Sequence, residues 1–198
     1  DMVKIIRRAC DQGLMISTYG TVSVRWRDND FLITPRDVAC WDILPEDIVQ
    51  IKNGMAEAGK TPSRSVALHH RIYQLNPHIN SIITTQSTNL MAHAVSHQKF
   101  DVRTIPESWI FLQDVPSIPF ETLHNNAEEI AQMFAKNRVV IVENDSVIVT
   151  GNKLINTFDY LEVAEFSANS LVMASSVGPL QPMGDKEIDE LRIAFNVK

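Results

Sequence analysis

The chain has 198 residues, of which 44% are apolar, and it carries a formal net charge of −6. That length suits a single domain over residues 1–198. The negative charge argues against a nucleic-acid partner, because affinity for phosphate backbones comes from clustered basic side chains. No apolar run approaches the ~20 residues of a membrane span, and no signal-peptide pattern is visible. We therefore expect a cytoplasmic protein that binds neither membranes nor nucleic acids.

The first half of the chain predicts one helix followed by paired strands. Residues 2–12 are amphipathic, and Gly13 is a natural end for that helix. Strands are indicated at residues 21–26, 31–34 and 48–51. The first of them alternates polar and apolar side chains, which predicts a half-buried strand, and Asn53–Gly54 after the third is a strong hairpin signal.

The second half alternates helices and strands. Ser63 is predicted to cap a helix that runs through Tyr73, and Asn126 to cap another around Ile130. A further helix is expected at 87–96, and a last long helix is expected from Asn156 or Thr157. Strands are expected at residues 81–85, 114–120, 139–142 and 147–149. The prolines of the second of these favour a sheet edge, and the last two flank a turn. Because hairpins dominate, the fold class is α/β with a largely antiparallel central sheet and helices packed on it.

Cysteine and histidine give no clear metal site. Cys10 and Cys40 form neither a disulfide framework nor a Cys-x-x-Cys motif, so two reduced thiols are predicted. His69 and the adjacent His70 point to different sides of a helix and cannot clamp one ion. His93 and His97 are four residues apart and could do so, but no carboxylate or cysteine lies near them in the sequence, which favours structural roles.

Three segments bring small hydroxyl groups and backbone amides to strand ends or to a helix start: residues 17–21, 34–37 and 62–65. The third precedes a helix, whose free amides and dipole favour an anion. Arg36 and Arg64 could add charge-assisted hydrogen bonds to a phosphate or a carboxylate. The spacing alone leaves open whether these are an anion site or ordinary turns with solvated arginines.

These same segments resemble class II aldolases of the fuculose-phosphate aldolase and ribulose-phosphate epimerase type. Gly13–Leu14 and residues 17–25 resemble the family's opening glycine-rich segment, and residues 31–35 resemble its Ile-Thr-Pro strand. Further matches follow in order, at residues 44–49, 60–63, 77–83, 105–107, 115–120, 147–151 and 185–188. The resemblance covers nearly the whole chain. It implies a three-layer fold with helices on both faces of the sheet, an aldehyde-lyase acting on sugar phosphates, and a homotetramer.

The chain departs from the family where the metal is held. The resemblance implies zinc bound by one glutamate and three histidines, and those places are taken here by Ser65, Thr84, Gln86 and Asp145. The first three side chains are neutral and poor zinc ligands. No cofactor is therefore expected, and zinc is expected only if the protein is an active aldolase after all.

The resemblance also assigns a phosphate-binding region. Three residues match family positions that contact phosphate: Thr18, Gly20 and Ser63. Three more stand where the family has other residues: Thr21, Arg36 and Arg64. The two arginines fit either a more acidic ligand or drift in a disused site.

Three hypotheses follow from these residues. The chain is an altered homologue that binds a sugar phosphate or related anion, or it is a working aldolase with ligands recruited from His69, His70 or His93. The third hypothesis is a non-catalytic assembly or regulatory subunit, as in the adducin branch of the family.

Overall fold

The computed structural model describes residues 1–197, apart from the side chain of His124. One eight-stranded sheet runs through the centre in the order β4-β3-β2-β1-β5-β8-β7-β6. Every neighbouring pair is antiparallel except β6 and β7, which are parallel. The strands are β1 Thr21–Arg27, β2 Asp30–Ile33, β3 Val49–Lys52, β4 Met55–Ala56, β5 Ser81–Thr85, β6 Ser117–Ile118, β7 Val139–Val142 and β8 Ser146–Gly151. The expected largely antiparallel sheet is confirmed.

Helices cover both faces of this sheet, as the family resemblance implies. They are α1 Met2–Asp11, α2 Val66–Leu75, α3 Thr88–Ser96, α4 Pro106–Leu112, α5 Phe120–Asn125, α6 Ala127–Met133, α7 Leu154–Ala174 and α8 Asp185–Phe195, with 3-10 turns at Pro45–Asp47 and Val102–Thr104. Within residues 1–197, none of these helices is both long and apolar enough to cross a bilayer.

The alternation of side chains along each strand divides the core into two layers. On β5, Ile83 packs into the layer formed with α1, α3, α4, α7 and α8. Its neighbour Ile82 packs into the layer formed with α2 and α6. Because helices cover both faces, Thr21 and Ser23 on β1 are buried as well as Val22. The prediction of a half-buried strand is therefore wrong at its first three residues.

Two predicted helix starts are displaced. Helix α2 begins at Val66 with Ser65 as its N-cap, two residues later than capping by Ser63 would imply. Helix α7 begins at Leu154, ahead of the predicted start at Asn156 or Thr157. The Thr157 hydroxyl donates to the carbonyl of Lys153 at 3.1 Å, so this residue satisfies its polar group inside the first turn rather than as a cap.

The prediction of two reduced cysteines is wrong in this structure. Cys10 on α1 and Cys40 in the loop after β2 form a disulfide, with their Cα atoms 6.1 Å apart. The two residues are 30 positions apart in the chain, and only the packing of α1 against that loop brings them together. The bond ties the first helix to the loop that carries Arg36.

Candidate functional site

A cleft of about 660 Å³ opens where the ends of β1 and β5 meet the start of α2. All ten residues that the resemblance assigned to the phosphate region or to the metal positions line it: Thr18, Gly20, Thr21, Arg36, Ser63, Arg64, Ser65, Thr84, Gln86 and Asp145. Sequence reasoning missed part of the wall, which Leu123 of α5 and Ala127 of α6 supply. Their apolar side chains carry no chemical signature, so nothing in the sequence marks them as cleft residues.

The first loop of the cleft depends on a glycine. Gly20 has φ +112°, in the region that disfavours residues with a Cβ. A Cβ at this position would lie 2.9 Å from Cγ of Met15. The backbone at Thr18–Thr21 can therefore lie close to the buried Met15 only because residue 20 has no side chain.

Backbone hydrogen bonds join two segments of the cleft, residues 34–37 and 62–65. The Ser63 amide donates to the Thr34 carbonyl at 3.0 Å, and the Arg36 amide donates to the Thr61 carbonyl at 2.9 Å. The Ser63 and Thr21 hydroxyls lie 2.5 Å apart, which connects this pair of segments to β1. The three segments thus form one wall, with hydroxyl groups at its centre.

The two arginines give the wall its charge. Arg36 and Arg64 line the cleft, and both are exposed. Within residues 1–197, neither guanidinium group makes a hydrogen bond or an ion pair. Each group therefore keeps its N–H donors available for an anion in the cleft. Asp37 also lines the cleft, and its φ of +61° is a conformation that aspartate tolerates better than most residues.

The four positions of the family's metal ligands line the same cleft, but their side chains do not form a zinc site. The Gln86 amide donates to the Asp145 backbone carbonyl at 2.7 Å, and the Ser146 hydroxyl donates to Asp145 Oδ2 at 2.6 Å. Asp145 is the single carboxylate of the four positions. Among the described residues, no group of three or more His, Cys, Asp and Glu side chains could hold a metal ion. The donor set therefore does not fit zinc, which takes four N, S or carboxylate ligands in a tetrahedral arrangement.

His69 lies beneath the cleft in a buried chain of hydrogen bonds. Its Nε2 is 2.9 Å from the Thr84 hydroxyl and its Nδ1 is 2.8 Å from the Ser23 hydroxyl. The Ser23 hydroxyl is in turn 2.8 Å from that of Tyr73. Burial lowers the pKa of His69 to about 3, so the ring is neutral at physiological pH. Burial raises the pKa of Tyr73 well above its ordinary value, so its hydroxyl stays protonated.

The other histidines that sequence reasoning considered do not line the cleft. The His70 ring lies 6.0 Å from that of Phe31, on a different side of α2 from His69. His93 packs against Phe100, with their ring centroids 5.3 Å apart. His97 Nε2 lies 3.0 Å from Asn144 Oδ1, so His93 and His97 contact different partners. These contacts agree with the prediction that His93 and His97 have structural roles.

The fold is that of the class II aldolases, and comparison with known families agrees. Residues 1–172 match the Class II Aldolase and Adducin N-terminal domain. The match covers most of the chain, and the chain belongs to this family.

Different relatives are named for different activities. The chain is 28% identical over 182 residues to the L-fuculose phosphate aldolase of Methanococcus vannielii, covering 88% of this chain and 96% of that one. It is 26% identical over 198 residues to the 3-oxo-tetronate 4-phosphate decarboxylase of Cupriavidus necator, covering 94% and 90%. Both names refer to phosphorylated substrates, although the reactions differ.

Solved structures show the same fold. YgbL of Escherichia coli superposes with a TM-score of 0.87 at 22% identity, covering 96% of this chain and 95% of that one. The L-fuculose-1-phosphate aldolase of Thermus thermophilus gives a TM-score of 0.78 at 21% identity, covering 90% and 95%.

Proposed function

We propose that this member of the class II aldolase family binds a sugar phosphate or a related small anion in the cleft and lacks the zinc-dependent aldol reaction. The proposal depends on the side chains at the four metal-ligand positions. Ser65, Thr84 and Gln86 are neutral, and Asp145 is the only anion among the four. Oxygen ligands of this kind suit zinc poorly, and one carboxylate does not hold a transition metal.

The chemistry explains why those positions decide the function. Making or breaking a C–C bond beside a carbonyl passes through an enediolate, whose negative charge a Lewis-acid metal stabilises. In the family the glutamate also moves the proton, and Ser65 in its place has no basic group. Losing electrostatic stabilisation of this kind slows a reaction by orders of magnitude.

The anion-binding half of the proposal rests on the wall formed by residues 17–21, 34–37 and 62–65. Thr21 and Ser63 present hydroxyls there, the start of α2 lies beside them, and Arg36 and Arg64 are free to pair with a ligand. Hydroxyls, helix amides and guanidinium groups are the partners that phosphate oxygens prefer. Two of the relatives above act on phosphorylated compounds by name, which supports the same ligand class.

Metal content and anion binding, measured on one sample, test the proposal. After dialysis against zinc, we expect less than about a tenth of an equivalent of zinc by elemental analysis. Calorimetric titration with inorganic phosphate and with L-fuculose 1-phosphate is expected to show binding. The Arg36→Ala/Arg64→Ala variant is expected to bind at least about 100-fold more weakly, because each lost charged hydrogen bond is worth about 1.5–3 kcal/mol.

Arg27→Ala is the matched control, since this exposed arginine lies over Trp26 and does not line the cleft. It removes one positive charge and is expected to leave phosphate binding within about twofold, as distant exposed charges are screened. Near-stoichiometric zinc in the unmodified protein would contradict the proposal and favour an active aldolase. Absence of both zinc and anion binding would favour a non-catalytic assembly subunit.

We also infer a homotetramer, the assembly that the family resemblance implies. Large apolar side chains are exposed on α7 and α8, including Phe166, Met173 and Ile193, and such residues are commonly covered in an assembly. Sedimentation velocity at micromolar concentration is expected to give the mass of four chains. A monomer under those conditions would overturn this inference.

A further inference from the structure

A row of four polar side chains runs from the buried face of α2 to the cleft. Tyr73, Ser23 and His69 are fully buried, and Thr84 lines the cleft. The links are Tyr73 Oη to Ser23 Oγ at 2.8 Å, Ser23 Oγ to His69 Nδ1 at 2.8 Å, and His69 Nε2 to Thr84 Oγ1 at 2.9 Å. Nothing in the proposed function accounts for this row.

Counting protons gives the row a direction. Each hydroxyl carries one proton, and a neutral imidazole carries one on either ring nitrogen. Three hydrogen bonds need only three of these four protons, so one group must donate its proton in a hydrogen bond outside the row. If that group is Thr84, its hydroxyl donates into the cleft, where solvent or a ligand accepts the hydrogen bond. If the extra donor is Tyr73 or Ser23, its proton is buried, and neither hydroxyl makes a hydrogen bond to any described residue outside the row.

An orphaned buried donor is costly enough to make its state a minor one, about tenfold or more less populated. The favoured arrangement therefore has Tyr73 donating to Ser23, and Ser23 donating to His69 Nδ1. The imidazole then carries its proton on Nε2 and donates it to the Thr84 oxygen. The Thr84 hydroxyl is then the one left with a proton to donate, and Thr84 lines the cleft.

We propose that Tyr73, Ser23 and His69 act as positioning residues that make Thr84 a hydrogen-bond donor to an anionic phosphate oxygen of the ligand. The proposal rests on the function proposed above, since it assigns a further contact within the same cleft. Thr84 would thus supply a fixed donor at a position where the family resemblance implies a metal ligand.

The sheet register places this donor beside the hydroxyl wall. Thr84 on β5 is the direct partner of Thr21 on β1, and directly opposed side chains of an antiparallel pair lie about 4.5–5.5 Å apart at Cβ. Thr21 in turn contacts Ser63 at 2.5 Å. One phosphate group lying between these three hydroxyls and the free arginines can accept hydrogen bonds from both kinds of donor.

The tautomer of His69 tests the direction of the row without any ligand. Long-range proton–nitrogen NMR spectra at pH 7 are expected to show His69 protonated on Nε2 alone. In Ser23→Ala, which removes the donor to Nδ1, the form protonated on Nδ1 is expected to become measurable. A wild-type ring protonated on Nδ1 would overturn the proposal.

Binding of inorganic phosphate tests the role of Thr84. Thr84→Val keeps the shape and removes the donor, so its affinity is expected to fall about tenfold or more, while Thr84→Ser is expected to stay within about threefold of wild type. Ser23→Ala should weaken binding about threefold although Ser23 does not touch the cleft. Unchanged binding in both Thr84→Val and Ser23→Ala would overturn the proposal. If wild type binds no phosphate, the proposed function fails on its own, and the tautomer still decides the direction of the row.

Discussion

The variant Ser65→Glu/Thr84→His/Gln86→His/Asp145→His is expected to retain close to one equivalent of zinc after dialysis, while the unmodified chain retains little. The four positions come from three parts of the fold that meet at the cleft: the N-cap of α2, the end of β5 and the β7–β8 turn. Thr84 lies near the end of β5 and Gln86 just beyond it, and both line the cleft. Four such ligands match the number and type that zinc takes.

The geometry at Asp145 supports this expectation. The Gln86 side chain already reaches the backbone of Asp145 at 2.7 Å, so side chains from the strand end and from the turn are close enough to share a ligand. Elemental analysis and titration with a zinc chelator would measure the gain. The matched control replaces Ser65→Glu by Ser65→Gln in the same set, which keeps the size and removes the anionic ligand, and is expected to lower zinc affinity.

If the variant with all four substitutions folds but binds no zinc, these positions are not ligand positions. The case against the aldol reaction would then lose its main support. Circular dichroism separates that outcome from misfolding. The result bears only on metal binding, because catalysis also needs residues that position the substrate.

Much of the sheet could be predicted because its signals are local. The hairpin at Asn53–Gly54 and the β-branched runs on β7 and β8 depend on neighbouring residues, and the structure confirms both. The cleft residues could be located because each lies in a short segment that resembles the family. These segments are far apart in sequence, and it is the resemblance, not their spacing, that indicated they would meet.

The features that were missed all depend on distant contacts. The polar residues Thr21 and Ser23 suggested a solvent-exposed face of β1, but α2 covers that face and buries them. A signal for this was present, because His69 and Tyr73 are four apart on α2 and share one helix face. Pairing them with Ser23 requires the packing of α2 on the sheet, as pairing Cys10 with Cys40 requires the packing of α1.

Acid is expected to destabilise the protein through His69. Burial lowers its pKa from 6.5 to about 3, so between these pH values the unfolded chain binds a proton that the folded chain does not. Above pH 6.5 His69 therefore does not lower the free energy of unfolding. As the pH falls from 6.5 towards 3, the free energy of unfolding declines, with a slope approaching about 1.4 kcal/mol per pH unit. Over that window the loss is a large fraction of the roughly 5–15 kcal/mol that a domain has.

Urea unfolding of wild type and His69→Gln at intervals from pH 7 to pH 4 isolates this effect, since the carboxylates contribute equally to both proteins. His69→Gln is expected to be less stable at pH 7, because glutamine does not fill the imidazole site, and to lose stability more slowly as the pH falls. Tyr73→Phe is the control for the cause, since it shortens the hydrogen-bonded row and leaves His69 buried. It should keep the wild-type slope, because desolvation rather than the hydroxyl contact lowers the pKa. Equal slopes in wild type and His69→Gln would mean that His69 takes up its proton in the folded state, and a charged imidazole would then lie directly beneath Thr84 and the cleft.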